Sequence, residues 1–308
     1  MWSSLLLLCV LGSVVAVPPV SRSRADIESF KTFLENSRTD DGVRFESRML
    51  ANPLAKPWEN SGKFQGDILL NDEQVESILQ QYTQGRNAYI PPNTKWPSNT
   101  IVYEFSNDFT IAQKNAVLAA MVEIQRRTCV RFRMRDRGDN IFVRITGRDD
   151  GCYASVGYWA PMGIHIMNLT PDSPGQGCFT HNVIIHELLH VVGFLHMQST
   201  YNRDDFVYIL WQNIWPGMEY NFDKYTPSQV SNLGIPYEYS SIMHYDRFAF
   251  STNGRPTMLP IWNDNGLMGQ LDFVTAWDYL RVNRHYNCPG AWNSPVKQEN
   301  TSQQKAEE

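Results

Sequence analysis

The sequence predicts an α+β fold divided into two subdomains, and three observations support this prediction. Between residues 100 and 192, segments with the alternation typical of strands are mixed with segments of helical spacing. After Gly193 the chain is rich in aromatic and turn residues and has little periodicity. A last helical pattern, Phe273–Tyr286, follows this irregular half. The order indicates an N-terminal subdomain built on a sheet and a mostly irregular C-terminal subdomain.

The individual elements follow from composition and hydrophobic spacing. Four segments are predicted to be strands: Thr100–Phe105, Cys129–Arg137, Asn140–Thr146 and Gly163–Leu169. Besides the terminal helix, three segments are predicted to be helical: Asp72–Tyr82, Ile111–Arg127 and Val183–Val192. In Cys129–Arg137 every second residue from Arg131 onward is an arginine, which favours a solvated strand face over an anion-binding site.

The composition is that of a globular protein. Of its 308 residues, 42% are hydrophobic and 12% are aromatic, and the formal net charge is -5. This length accommodates one large domain or two modest ones. Because nucleic-acid-binding domains usually carry a basic field, the mild acidity predicts that the protein has no nucleic-acid partner.

The N-terminus carries a short apolar stretch, residues 4–16, which ends in the small residues Val14, Val15 and Ala16. It is too short for a membrane span, which needs about 20 residues, and no later segment approaches that length. We therefore predict a signal peptide over residues 1–16 and a secreted, extracellular protein without a membrane partner. No Lys or Arg precedes the stretch, so a membrane anchor or a buried strand is the alternative.

The cysteines agree with a secreted chain. Cys9 would leave with the signal peptide, and four cysteines remain: Cys129, Cys152, Cys178 and Cys288. An even number in a secreted protein favours disulfides, and four cysteines allow three pairings. Two Asn-x-Ser/Thr triplets make Asn168 and Asn300 candidate glycosylation sites, although Pro171 follows the first triplet and could hinder its use.

Residues 17–86 differ from the rest of the chain. They are charged, contain no cysteine, show only short helical patterns, and end in a polar stretch with a basic residue, Arg86. We predict that they form a pro-segment cut after Arg86, and an ordinary N-terminal extension is the alternative. Residues 87–290 would then be the main domain, and the polar tail, residues 291–308, is expected to be disordered.

Residues 186–190 read HELLH, a motif typical of a zinc site. His186 and His190 lie four residues apart in a helical segment, so both side chains project from one face and can bind the same Zn2+ ion. Glu187 follows the first histidine and would lie beside the metal, where it can polarise a water molecule. On its own this short motif is only suggestive.

The continuation of the motif makes it specific. Gly193 stands three residues after His190, where glycine can take the positive φ that ends a helix, and the chain can then bring His196 to the metal. HExxHxxGxxH predicts three histidine ligands and an open position for water, the arrangement of a single catalytic zinc ion. Core histidines that bind backbone carbonyls are the alternative. Water activated by zinc, with Glu187 as general base, predicts hydrolysis of peptide bonds.

Together with a second motif, these residues resemble a known family. HELLHVVGFLH, followed downstream by SIMHY at Ser241–Tyr245, is similar to the astacin family of metzincin zinc endopeptidases, and the similarity extends from about Phe64 to Cys288. The resemblance implies a zincin-type catalytic domain over residues 87–290. Its N-terminal subdomain would hold a twisted mixed β-sheet and two long helices, one of them binding zinc, and its C-terminal subdomain would contain a terminal helix.

The resemblance also implies roles for individual residues. Met243 would lie in a Met-turn that forms an apolar floor beneath the histidines. Tyr245 would coordinate zinc in the resting enzyme and then bind the developing oxyanion. The FQGD sequence at residues 64–67 matches the family's pro-peptide motif FxGD. Asp67 would therefore bind zinc and keep a zymogen latent until a trypsin-like protease cuts near Arg86.

Three further features are implied by the same resemblance. The family pairing gives the disulfides Cys129–Cys288 and Cys152–Cys178. Gly163–Leu169 is placed like the family's edge strand, which binds substrate as an added strand. Asp278 aligns with an acidic residue near the active site, and a supporting role and an ordinary surface position are its two interpretations.

One position departs from the family. The residue after the third histidine is usually a glutamate that receives the new N-terminus of the mature enzyme, and here it is Met197. Methionine cannot accept that charge-assisted hydrogen bond, so we expect the mature N-terminus, Asn87, not to be anchored by the usual carboxylate. This affects maturation rather than zinc chemistry, because Met197 is not a ligand.

The sequence therefore predicts a secreted zinc endopeptidase, made as a zymogen, that acts as a monomer on protein or peptide substrates. A catalytically silent binding protein of the same fold is the main alternative, and a zinc hydrolase of non-peptide amides or esters is another. The enzyme is favoured because the required residues are all present: His186, Glu187, His190, His196 and Tyr245.

Overall fold

The computed structural model describes residues 23–38, 45–51, 56–84 and 94–293. The predicted signal peptide, the predicted cleavage site near Arg86, the triplet at Asn300 and most of the polar tail lie outside these residues. Within them the α-helices are α1 (Arg24–Asn36), α2 (Phe45–Ala51), α3 (Asp72–Gln84), α4 (Ile111–Arg127), α5 (His181–Val192) and α6 (Ala276–His285). The strands are β1 (Ile68–Leu69), β2 (Thr100–Phe105), β3 (Arg131–Met134), β4 (Phe142–Thr146), β5 (Cys152–Ser155), β6 (Ile164–Leu169), β7 (Val207–Ile209) and β8 (Met258–Pro260).

Six of the described strands form a mixed sheet in the order β1-β5-β6-β4-β2-β3. The strands β2, β3, β4 and β6 are parallel, β5 runs antiparallel to β6, and β1 pairs with β5 in parallel. The prediction that Gly163–Leu169 is an edge strand is wrong, because β6 is hydrogen-bonded to β4 on one side and to β5 on the other. The sequence did not reveal β5, since all four of its residues are buried and do not alternate.

The helices α4 and α5 pack against each other and contact this sheet. α4 begins with a capping box in which Thr110 and Gln113 satisfy each other's backbone N–H groups. α5 is buried along nearly its whole length, from Val183 to Val192. The HELLH segment therefore lies inside the main hydrophobic core rather than on its surface.

The C-terminal half of the described chain is mostly irregular. β7 and β8 form a two-stranded antiparallel sheet that the sequence did not reveal, because each strand has only three residues. Apolar side chains around Phe222, Tyr245 and Met258 form a second core cluster. α6 follows and begins with a capping box of Thr275 and Asp278. Across the described residues, the helices are all too short or too polar to span a membrane.

Two disulfides connect distant parts of the chain. Cys129–Cys288 joins the segment after α4 to the segment after α6, and Cys152–Cys178 joins β5 to the turn before α5. The Cα atoms are 5.5 Å apart in both, within the usual range for a disulfide. These are the pairings that the family resemblance implies, and the second one ties β5 directly to the beginning of α5.

The prediction that Asn168 is a glycan acceptor is wrong, because the folded chain buries this side chain. Its side chain is fully buried in β6. The amide nitrogen donates hydrogen bonds to the carbonyl oxygens of Arg148 and Gly151 and to Asp150 Oδ1, and the amide oxygen accepts one from Thr146 Oγ1. An acceptor nitrogen must be exposed, so this amide is a structural element that braces the loop after β4.

Candidate metal centre

α5 brings two of the predicted ligands together. The ring centroids of His186 and His190 lie 4.8 Å apart, and both side chains are buried. The helix ends at Gly193, which has a φ of +120° and whose added Cβ would lie 2.8 Å from Thr94 Oγ1. Only glycine fits this position. The chain then turns and places the ring centroid of His196 at 4.8 Å from that of His190.

Hydrogen bonds fix the orientation of the three rings. Nδ1 of His186 donates to the carbonyl oxygen of Ile242 at 2.8 Å, and Nδ1 of His190 donates to that of Phe194 at 2.7 Å. Nδ1 of His196 lies 3.2 Å from Gln65 Oε1. With Nδ1 of each ring directed at an oxygen, Nε2 is left to point toward the other rings.

Asp67 completes this cluster. Its carboxylate oxygens lie 3.1 Å from His186 Nε2, 3.2 Å from His196 Nε2 and 3.4 Å from His190 Nε2. All four ligand atoms lie within 4.8 Å of one another, and all four residues are buried. Three nitrogen lone pairs and a carboxylate repel each other unless a cation lies between them. Three histidines and one carboxylate are a common ligand set for Zn2+, so these residues fit one zinc ion.

Unpartnered polar atoms point to the same conclusion. Asp67 Oδ1 and His190 Nε2 are buried and have no hydrogen-bond partner among the described residues. Burial lowers the pKa of His196 to about 4, so that ring is neutral and competent to bind a metal. Burial alone would raise the pKa of Asp67, but the rings of His196 and His190 hold it well below its usual range. Asp67 is therefore ionised and suited to bind a cation.

Glu187 differs from Asp67 although both are buried carboxyl groups. Both of its carboxylate oxygens are buried without a hydrogen-bond partner within the part of the chain that the structure describes. Burial, and after it the charge of Asp67, raises the pKa of Glu187 well above its usual range. A carboxylate with raised proton affinity next to a metal site is suited to accept a proton during a reaction.

The turn at Ser241–Tyr245 lies against this cluster. The ring centroids of Tyr245 and His196 are 4.7 Å apart, and the Tyr245 hydroxyl donates a hydrogen bond to the carbonyl oxygen of Gln65. Met243 is buried in the main core, and its carbonyl oxygen accepts a hydrogen bond from the backbone N–H of Met197 at 2.9 Å. The structure thus joins this turn to the residue that follows the third histidine.

Asp278 supports the turn from behind. It is buried, and it accepts hydrogen bonds from Ser241 Oγ at 2.6 Å and from the backbone N–H of Ile242 at 3.1 Å. The carbonyl oxygen of Ile242 in turn accepts a hydrogen bond from Nδ1 of His186. The carboxylate of Asp278 is therefore connected to His186 through the backbone of one residue, Ile242. Of its two interpretations from the sequence, the structure favours the supporting role.

The chain matches the family model named Astacin, which describes a family of peptidases, over residues 88–287. This match covers well over half of the sequence and includes the histidine cluster. The chain belongs to the astacin family. Membership confirms the predicted family, the α+β fold class and zinc as the cofactor.

Individual astacin-family proteins show how far the similarity extends. The chain is 35% identical over 256 residues to zinc metalloproteinase nas-13 of Caenorhabditis elegans, which covers 80% of this chain and 55% of that protein. It is 36% identical over 227 residues to zinc metalloproteinase nas-4 of the same organism, and this match covers 73% of this chain and 69% of nas-4. The structure of high choriolytic enzyme 1, a hatching enzyme zinc-protease from Oryzias latipes, superposes with a TM-score of 0.55 at 35% identity and covers 63% of this chain and 93% of that one. The chain spans about half the length of nas-13.

Met197, the residue that departs from the astacin pattern, lies among apolar side chains. The side chain of Met197 is buried in the second core cluster with Val207 and Phe222. A carboxylate at this position would lose hydration without gaining a partner from these apolar neighbours. Residues 85–93 lie outside the described residues, so the anchoring of Asn87 stays a prediction.

Three contributors to this astacin site were not found from the sequence. Gln65 was noted only as the variable position of its motif, yet it contacts both Tyr245 and His196. Ile242 acts through its backbone, which no side-chain pattern reveals. Trp58 stacks on His186 with ring centroids 5.2 Å apart. The only signal for Trp58 was its position a few residues before the FQGD motif.

Proposed function

We propose that this chain is a secreted zinc endopeptidase that is synthesised as a zymogen and hydrolyses protein or peptide substrates as a monomer. Residues 1–16 would be the signal peptide, 17–86 the pro-segment, 87–290 the catalytic domain and 291–308 a tail. The zinc ligands are His186, His190 and His196, with Asp67 as a fourth ligand before activation. Catalysis is assigned to Glu187 and Tyr245, and a trypsin-like protease is the activating partner.

One observation carries this proposal. The carboxylate of Asp67 reaches Nε2 of all three histidines at 3.1–3.4 Å, beside the unpartnered carboxylate of Glu187. A segment far upstream in the sequence therefore fills the position that a reacting water or carbonyl needs. Such an arrangement is expected of a latent hydrolase, in which the blocking ligand must leave before substrate can bind.

The chemistry divides between the metal and the side chains. When bound, zinc lowers the pKa of water toward about 7 and polarises the scissile carbonyl group. Glu187 accepts the proton of the attacking water and passes it to the leaving amine. Tyr245, once freed from the carbonyl oxygen of Gln65, donates its hydroxyl hydrogen bond to the carbonyl oxygen of the substrate as negative charge develops there.

Backbone contacts support the latency of the proposed zymogen. The N–H of Ala154 donates to the carbonyl oxygen of Asp67 at 2.9 Å, and β1 adds to the outer edge of β5 directly after Asp67. Gly66 has a φ of +87°, and its added Cβ would lie 2.8 Å from Glu59 Cα, so only glycine allows this approach. The pro-segment thus occupies the strand edge that a peptide substrate needs.

Activation of the purified proform provides the test. The proform is cleaved with trypsin and incubated with a protein substrate and a peptide library, with and without a zinc chelator. We expect activity only after cleavage and only without chelator. An activated, zinc-loaded protein that cuts no peptide would reject the enzyme and support the silent binding protein instead.

Two variants separate the roles of the carboxylates. Glu187→Ala should retain zinc, measured by elemental analysis, and lose activity; retained activity would exclude Glu187 as the base. Asp67→Ala should give a proform that is active before cleavage, whereas the exposed pro-segment control Glu76→Ala should stay latent. An inert Asp67→Ala proform that holds zinc would exclude the latency role.

A further inference from the structure

Trp58 is the one buried pro-segment side chain in the main core cluster of the described residues. Every other buried member of that cluster lies between Trp96 and Ala291. Other buried apolar residues of the pro-segment, such as Phe30 and Phe64, belong to a separate cluster. Trp58 is 1% exposed. Its indole ring therefore occupies a cavity in the catalytic domain, and release of the pro-segment would empty that cavity.

This cavity lies next to the predicted reaction centre. The indole ring stacks on the ring of His186 at 5.2 Å between centroids, with 25° between their planes. The segment that carries Trp58 contacts β5 and the turn of residues 177–179. Ser61 Oγ, three residues further on, donates to the carbonyl oxygen of Cys152 at 2.6 Å. Trp58 is thus on the side of Asp67 where β5 begins.

The chemistry of the cavity is apolar. Trp58 Nε1 is buried and has no hydrogen-bond partner among the residues that the structure describes, so no acceptor of the catalytic domain reaches it. Because the indole belongs to the main hydrophobic cluster and its N–H finds no acceptor, the cavity favours large apolar side chains and disfavours those that bring a hydrogen-bond donor or a positive charge. Aliphatic and aromatic side chains would pack on His186 in the same way as the indole.

We propose that the cavity filled by Trp58 in the zymogen is the pocket that binds the substrate side chain directly after the scissile bond, and that it selects a large aromatic or aliphatic residue there. This proposal rests on the proposed function and specifies its substrate class. The position follows from strand polarity. β1 runs parallel to β5, from Ile68↔Ala154 to Leu69↔Ser155. A peptide bound in the more stable antiparallel direction would run the opposite way, with its C-terminal half toward Cys152 and Trp58.

The test uses enzyme activated from the full proform and two matched peptide series. One series varies only the residue after a single cleavage site, with Phe, Trp, Leu, Ala and Asp, and the other varies only the residue before it. We expect kcat/KM to fall by about 100-fold from Phe to Ala after the bond, because single methylene groups in apolar pockets already change rates by about 10- to 200-fold. In the second series, the change in kcat/KM from Phe to Ala before the bond should be much smaller.

Binding without turnover provides a second readout. Activated Glu187→Ala protein, loaded with zinc, is titrated with the Phe and Ala peptides of the first series by calorimetry, and the Phe peptide should bind at least about 10-fold more tightly. If the activated enzyme cleaves no peptide at all, the proposed function fails. If it cleaves peptides with a flat profile, or with its preference located before the bond, the proposed function stands and the pocket proposal is overturned.

Discussion

Replacing Asp278 by alanine should weaken both the fold and the zinc site. The carboxylate accepts hydrogen bonds from Ser241 Oγ at 2.6 Å, from Ile242 N–H at 3.1 Å and from the backbone N–H of Thr275 at 3.2 Å. It also lies 3.5 Å from the guanidinium group of Arg281. Ser241 is fully buried, so water cannot replace the lost acceptor.

The size of the effect follows from these contacts. Hydrogen bonds to a charged group contribute about 1.5–3 kcal/mol each, and removing one partner of a buried ion pair costs about 3–5 kcal/mol. Arg281 keeps a second carboxylate partner, Glu238, which limits the loss. We therefore expect Asp278→Ala to lower the free energy of unfolding by about 3–5 kcal/mol. Because the Ile242 carbonyl orients His186, zinc affinity should fall by about 10- to 100-fold.

Urea unfolding of the proform measures the first effect, and competition with a chelator of known affinity measures the second. Asp272→Ala is the matched control, since Asp272 is exposed and lies just before the same helix. Asp278→Asn keeps an acceptor for the Ile242 N–H, so its free energy of unfolding and its zinc affinity should fall less than those of Asp278→Ala. Unchanged zinc affinity in Asp278→Ala, together with lost stability, would refute the link from Asp278 to His186.

Three further outcomes are expected. Burial lowers the pKa of His165 from 6.5 to about 4, so the unfolded chain binds more protons than the folded one between these values and stability is lost as the pH falls through this range. From about pH 7 to pH 5, His165 should lower the free energy of unfolding by about 2 kcal/mol. Urea unfolding should therefore show a smaller decrease over this pH range in His165→Gln than in the unmodified protein. Equal decreases in the two proteins would contradict the assignment. Peptide mass mapping of secreted protein should find Asn168 unmodified, and a glycan there would disprove its burial. Chelation of zinc should lower the Tm of the proform, because Asp67 then faces three imidazole lone pairs; a Tm that neither falls nor recovers when zinc is restored would argue against the ligand set.

Local patterns predicted a large part of this protein. β2 and α4 begin and end where composition and hydrophobic spacing indicated. The spacing of the HExxHxxGxxH motif was sufficient to predict the histidine cluster, since a helical repeat places His186 and His190 on one face and Gly193 ends the helix. These features depend on residues that are close in sequence. Their geometry is therefore contained in a short stretch of chain.

Tertiary structure decided the rest, because it depends on contacts between residues far apart in the chain. The order of the sheet made β6 an inner strand, paired on one side with β4 and on the other with β5, which has no alternation of its own. Asn168 matches a glycosylation triplet, but the folded chain buries its side chain, where it holds the loop after β4 by hydrogen bonds. The sequence by itself predicted which residues bind zinc and move a proton, because that prediction needs only residue types at a fixed local spacing. Only the folded chain determined that Asp278 acts through a backbone carbonyl and that Trp58 fills a cavity beside His186, since neither contact leaves a periodic pattern in the sequence.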